Sequence, residues 1–352
     1  MIRTHARRSV DRVDNPINDH QRAPFLDPPD CNGGQNSRVN RDWLVDALVA
    51  GPVGAGVLVV AARSGLGLAG LTDPVTVTAL AAAVCGELRP WSGEHRELAG
   101  WLVEQARPLH ALAVDATQDP ATAWWTQPVD RDAQLALGAE NTTPDPAFAL
   151  GGSDWEVYAQ HPGAYVTTST ALTPVQTDQI RSGRHAVEAD GHSDWEPGYP
   201  LQQALLPIRA DARIAEITIP EDWNRLTHTY PATRADGRSN ANLLDSAGID
   251  HGPGPDWAAT AADLDGVHLT LSAILTGLFV PVSHDGTTTT MWSNDSELTI
   301  WLRRTWDDPV PHTSYPDHLE EPDDVQQAVH DQIVFADRPH SVQWLRSTTW
   351  LS

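Results

Sequence analysis

Between Asp256 and Arg304 the chain reads DWAATAADLDGVHLTLSAILTGLFVPVSHDGTTTTMWSNDSELTIWLRR, where helical and strand periods follow one another closely. Asp256 stands where a helix N-cap belongs, and the Ala-rich run to Asp263 suits a short helix. From Val267 the period becomes two. Val267, Leu269 and Leu271 share one face, and His268, Thr270 and Ser272 share the other. A polar loop around His284-Asp-Gly286 follows, after which Leu298, Ile300 and Leu302 alternate with Thr299, Trp301 and Arg303. A capped helix and two half-buried strands in so short a span call for helices packed on a sheet. His268 then points away from the apolar face, and Glu297 stands in a polar turn at the head of the last strand.

The chain upstream supplies the helices. Residues 43–66 form the most apolar run, but its uncharged part, Ala47–Ala62, is only 16 residues and carries Pro52 and three glycines. A membrane span needs about 20 apolar residues, so the run reads as a buried core segment, a helix and then a strand at Val57–Ala62. Residues 74–88 and 93–107 read as two helices, the second with Leu98, Trp101 and Leu102 on one face. Farther on, Val166–Leu172 has strand propensity, Arg213–Ile219 alternates as a strand with Ala215, Ile217 and Ile219 inward, and Glu221–Thr229 is a short helix stopped by Pro231. Residues 232–255 are a long polar loop with four glycines. The fold class is α+β: a mainly helical domain over 41–138, then an α+β domain over 147–306 built on a mixed, mostly antiparallel sheet with short helices. Ala139–Pro146 is the best linker candidate. Residues 1–40 read as a disordered lead-in, and 307–352 as an acidic linker with a C-terminal docking segment.

Composition narrows the function classes. The 47 acidic residues outnumber the 23 basic ones, giving a formal net charge of −24, and all 23 are Arg because the sequence contains no Lys. So acidic a chain repels phosphate backbones, which argues against nucleic acid as a partner. Two cysteines, Cys31 and Cys85, and no apolar leader point to a reducing, cytoplasmic setting with no membrane partner. The missing Lys also rules out a Walker loop and an S-x-x-K nucleophile, and no G-x-S-x-G elbow occurs. The 15 histidines include no H-E-x-x-H, and the two cysteines lie far apart, so no metal site is expected. Gly65-Leu-Gly67-Leu-Ala-Gly70 fits G-x-G-x-x-G formally. Asp73-Pro74, however, starts the next helix after the glycines are spent, so they read as a loop between core elements rather than a dinucleotide site. The 14 tryptophans are scattered, and a core role is their default.

Two resemblances add to this reading. The run Trp257-Ala-Ala-x-Ala-x-x-Leu-Asp265-Gly-Val-His-Leu-Thr270 resembles a recurring pattern in uncharacterised actinobacterial proteins. The likeness extends over roughly 120–305, including Ala123-Trp-Trp125, Trp155–Thr170 and Glu297–Leu302, and implies no particular activity. The chain also resembles ADP-ribosyltransferase-like domains. Thr167-Thr-Ser-Thr170 approximates their S-T-S-type strand, Asp265-Gly-Val their late D-G-hydrophobic strand, and Glu297 the position of their catalytic glutamate. That likeness implies cleavage of the nicotinamide–ribose bond of NAD, with Glu297 stabilising the oxocarbenium charge, Ser169 supporting it, and His161 and Thr168 contacting the cofactor. His268, on the outward side of its strand, is the further catalytic candidate. The rival expectation is a non-catalytic interaction protein whose Trp-rich surfaces dock a protein partner.

Overall fold

The computed structural model describes residues 41–88, 95–132, 134–139, 165–169, 201–232, 248–249, 252–292, 297–308 and 310–314. The side chains of 41, 75, 135–139, 165–169, 201–204 and 311–314 are outside that description. By its contacts the chain divides into Met1–Arg38 and a unit from Val39 to Ser352. The expected disordered lead-in lies outside the described residues. So do most of the linker candidate and of the polar loop 232–255, and all of the tail beyond 314.

The apolar run 43–66 is two helices, not a helix and a strand. Helices α1 (Arg41–Ala50) and α2 (Pro52–Arg63) meet at a bend of 86° between them. Pro52 at the first position of α2 is preset for a helix start and has no N–H to lose. Val57–Val60 is β-branched enough to suggest a strand. In α2, however, Pro52 through Ala61 are all buried, and burial on every side outweighs a propensity worth only tenths of a kcal/mol per residue, about 0.7 at most. Among the described residues no single helix is long and apolar enough to cross a membrane. The bent pair α1–α2 passes by length and composition alone.

Four more helices, α3 (Gly67–Thr72), α4 (Pro74–Glu87), α5 (His95–Ala106) and α6 (His110–Gln118), complete the helical layer. Asp73 caps α4 by accepting the Thr76 N–H at 2.8 Å, with Pro74 at the first helical position, as its sequence suggests. A 3₁₀ segment, Pro120–Thr126, ends the layer.

Among the described residues nine strands follow: β1 (Gln134–Ala139), β2 (Tyr165–Ser169), β3 (Leu201–Leu206), β4 (Ile214–Ile217), β5 (Gly266–Leu269), β6 (Pro281–His284), β7 (Thr287–Thr290), β8 (Leu298–Trp301) and β9 (Val310–Ser314). Seven form one mixed sheet in the order β4-β5-β8-β2-β1-β3-β9, in which β4 and β5 run parallel and the other neighbours antiparallel. The chain is α+β. β9 takes residues 310–314 into the sheet, so the acidic segment from 307 is not wholly a linker.

Helices α7 (Pro220–Thr229) and α8 (Trp257–Asp263) lie in the connection between β4 and β5. Asp256 caps α8, accepting the Ala259 N–H at 2.9 Å. The alternation after it stops sooner than its pattern suggests. β5 ends at Leu269, Thr270 caps a new helix by accepting the Ala273 N–H at 3.2 Å, and α9 (Leu271–Gly277) is buried along its whole length. Leu271, Ile274, Leu275 and Leu278 already show the helical spacing, but the alternating run before them overlaps it by two residues, Leu271 and Ser272. The polar loop after it is a hairpin, β6–β7, closed by Asp285 and Gly286 at φ of 47° and 77°. Two left-handed residues in an Asp-Gly pair make the turn whose twist matches antiparallel strands.

One face of the sheet carries Ala215, Ile217, Val267, Leu269, Leu298 and Ile300 into a cluster shared with Leu44, Leu48 and Val57 of the helices. The sequence suggests a boundary between a helical and a sheet domain. In the structure both halves bury one core, and β1 lies inside the sheet, between β2 and β3. The opposite face carries a smaller cluster of Leu206, Ile208, Ala212, Trp301 and Trp306. It also carries a polar row.

Candidate functional site

The polar row follows from strand parity. On β5, Val267 and Leu269 face the helices, so His268 faces away. β4 alternates in the same way, and its Glu216 falls directly beside His268 in the parallel register. On the antiparallel side Thr299 of β8 is the partner of His268, and Thr167 of β2 is the partner of Thr299. Glu297 stands one residue before β8.

His268 is only 3% exposed and lies between two carboxylates. Its Nδ1–H donates to Glu216 Oε2 at 2.5 Å, and its Nε2–H donates to Glu297 Oε1 at 2.9 Å. Burial opposes the charged imidazolium, but the hydrogen bonds and negative charges of Glu216 and Glu297 outweigh it and push the His268 pKa up to about 9. Near neutral pH the centre is therefore carboxylate–imidazolium–carboxylate. The other oxygen of Glu216 accepts the Val129 N–H at 3.1 Å, which fixes that carboxylate from outside the sheet. Beside the triad, Thr299 Oγ1 donates to Gln134 Oε1 at 3.2 Å, and Gln134 Nε2 donates to the Asp130 carbonyl at 2.9 Å. Glu216 is the most open of the three acid–base groups, its side chain 30% exposed, whereas the side chain of Glu297 is 9% exposed.

No family model matches the chain, and comparisons with curated proteins and with solved structures return no match. The site is read from its own chemistry.

Of the residues singled out in the sequence, His268 and Glu297 are in direct contact. Ser169 and Thr168 lie on β2, the next strand beyond β8, and their backbones pair with Gln134 and Leu135 of β1. β2 and β8 pair Tyr165 with Trp301 and Thr167 with Thr299, and Thr168 and Ser169 follow the last of these pairs. His161 lies outside the described residues. Glu297 differs from a surface-turn carboxylate, because it is buried and holds a ring proton.

Sequence reasoning missed Glu216. The available signal was its place as the charged residue on the outward side of an otherwise apolar strand. Parity puts it on the same face as His268, but nothing in the sequence pairs β4 with β5. Gln134 and Thr299 carry no signal beyond parity.

The glycines at 65–70 are not a dinucleotide turn. The element before them is helix α2, not a strand, and Gly67 opens the short helix α3 before Asp73 caps α4. Gly65 and Gly67 take φ of 78° and 52° with open space where a Cβ would stand. Gly67→Ala is expected to lower stability by about 1–2 kcal/mol through its left-handed backbone, with no change in any affinity for NAD. Urea unfolding and NAD titration of that variant check both halves, and loss of NAD affinity in a folded variant would assign the glycines a ligand.

Among the described residues no group of three His, Cys, Asp or Glu side chains is arranged to hold a metal ion. In the triad the imidazole uses both nitrogens on carboxylates. Five of the nine tryptophans with described burial, Trp125, Trp223, Trp257, Trp301 and Trp306, are buried, and the other four are partly buried. They serve the core first.

Proposed function

We propose that the chain is an NAD-cleaving enzyme of the ADP-ribosyltransferase-like kind, with Glu297 as its charge-stabilising carboxylate. The observation that carries this reading is the Glu216–His268–Glu297 triad, which fixes Glu297 at the head of a central strand beside β2. In the reaction the bond between ribose C1 and the nicotinamide nitrogen breaks, and the electron pair leaves with the nitrogen, so nicotinamide departs neutral. The ribose is left as an oxocarbenium ion, which water or an acceptor side chain then attacks with release of a proton. A fixed carboxylate facing that developing charge lowers the barrier, because its orientation needs no rearrangement during the reaction. The imidazolium holds Oε1 of Glu297, and the hydroxyl-bearing strand β2 runs next to it. Ser169 supports the site in this reading, and Thr168 and His161 contact the dinucleotide.

The test is nicotinamide release from NAD by the purified full chain, with and without candidate acceptor proteins. Glu297→Gln keeps an oxygen to accept the His268 proton but removes the charge. Its turnover is expected to fall about 10²–10³-fold with its circular dichroism unchanged. No release by the wild type under any condition, or equal release by the variant, removes the enzyme and leaves the interaction protein.

A further inference from the structure

Glu216 is the one acid of the triad with no part in that reaction. Two carboxylates and an imidazole bonded in line need two ring protons, one for each bond. With a single ring proton, one nitrogen would turn a lone pair on a carboxylate, and that contact would be repulsive. An imidazolium between two carboxylates satisfies both contacts at once. Glu216 is well placed to fix which proton goes where. It stands in register beside His268 on a parallel strand, and its second oxygen is tied to the Val129 N–H, so its carboxylate cannot rotate freely.

We propose that Glu216 is a positioning residue for Glu297, acting through His268. It holds the Nδ1 proton so that the imidazole ring is locked with its second proton aimed at the Glu297 carboxylate. The catalytic consequence rests on the NAD-cleaving reading, whereas the locking of the ring does not. Among the described residues, Glu216 from β4 and Glu297 from the head of β8 are the charged groups bonded to the imidazole. Thr299 and Gln134 beside it are uncharged. Arg213 and Arg303 direct their charge to Asp265, at 3.9 and 3.3 Å, on the neighbouring end of β5.

The experiment is proton–nitrogen NMR of the full chain labelled at histidine nitrogens, with His268 assigned from the spectrum of a His268→Asn variant. In the wild type at about pH 8, where unperturbed histidines are neutral, His268 is expected to carry both ring protons, with its Nδ1 proton strongly deshielded. Glu216→Gln is expected to abolish the deshielded signal and to lower the His268 titration midpoint by at least one pH unit. Its kcat for nicotinamide release is expected to fall by up to about 10²-fold through lost alignment, with KM for NAD unchanged. Glu216→Asp keeps the charge with a shorter reach and should restore the titration but not the full rate. It also decides the question if the Gln variant does not fold. A wild-type His268 that is singly protonated at neutral pH, or an Nδ1 signal and titration unmoved in both variants, overturns the proposal. A wild type that releases no nicotinamide but shows the locked ring removes the NAD-cleaving reading alone.

Discussion

His268→Leu is expected to lower stability by about 3–5 kcal/mol, the usual result of removing one partner from a buried ion pair. The substitution conserves bulk but leaves Glu216 and Glu297 facing an apolar side chain in place of a cation. The loss should be largest at mildly acidic pH. His268 titrates near 6.5 when unfolded and is pushed up to about 9 in the fold. Its contribution is therefore complete below pH 6.5 and disappears as the pH rises through 9. By linkage it amounts to on the order of 3 kcal/mol. Unfolding free energies of wild type and variant, measured in urea from pH 6 to 9.5, should therefore converge as the pH rises. Adding Glu216→Gln and Glu297→Gln to the leucine variant should recover part of the loss, because no uncompensated carboxylate then remains. A gap that stays constant across this range, or a leucine variant within 0.5 kcal/mol of wild type at pH 6, would mean that the triad carries no buried charge.

Gly54→Val is expected to be the most damaging single change in the helical layer. A Cβ at position 54 would stand 2.6 Å from the Leu48 carbonyl oxygen and 2.8 Å from that of Leu275. Both are backbone atoms of packed helices, α1 and α9, so relief requires moving a helix rather than turning a side chain. Overfilling a packed core costs about 1–3 kcal/mol, and more where the backbone must move. The loss here should exceed about 3 kcal/mol, enough to lower the melting point by many degrees. Gly100 in α5 is the control, since nothing lies within 4 Å of an added Cβ there. Gly100→Ala should raise stability by up to about 1 kcal/mol, the usual difference between the two residues inside a helix. Thermal melts of the two variants decide the matter, and a Gly54→Val protein that melts with the wild type would show that α9 is not packed against α2 as described.

Much of the local structure can be read from end signals. Asp73-Pro74 and Asp256 mark helix starts because a carboxylate takes up N–H groups that the helix cannot satisfy, and Asp285-Gly286 marks a turn by its backbone freedom. The Val-rich α2 and the switch from β5 to α9 are harder. A short apolar run is compatible with either period, and burial on all sides erases the polar face that would distinguish them. In the site, parity alone gives the outward direction of His268, and Glu297 follows from the resemblance. The meeting of Glu216 with His268 depends on which strands become neighbours. They are 52 positions apart, and nothing local to either residue specifies that pairing.

Strand parity gives the polar row a second consequence. Sliding β5 by one residue against β4 and β8 would turn His268 toward the helices and leave Glu216 and Glu297 without their shared partner. The same slip would turn Val267 and Leu269 out of the core, so the apolar row penalises it as well. A cation that needs two particular carboxylates adds a second penalty, a stranded buried charge, so the triad and the apolar face select the same strand alignment.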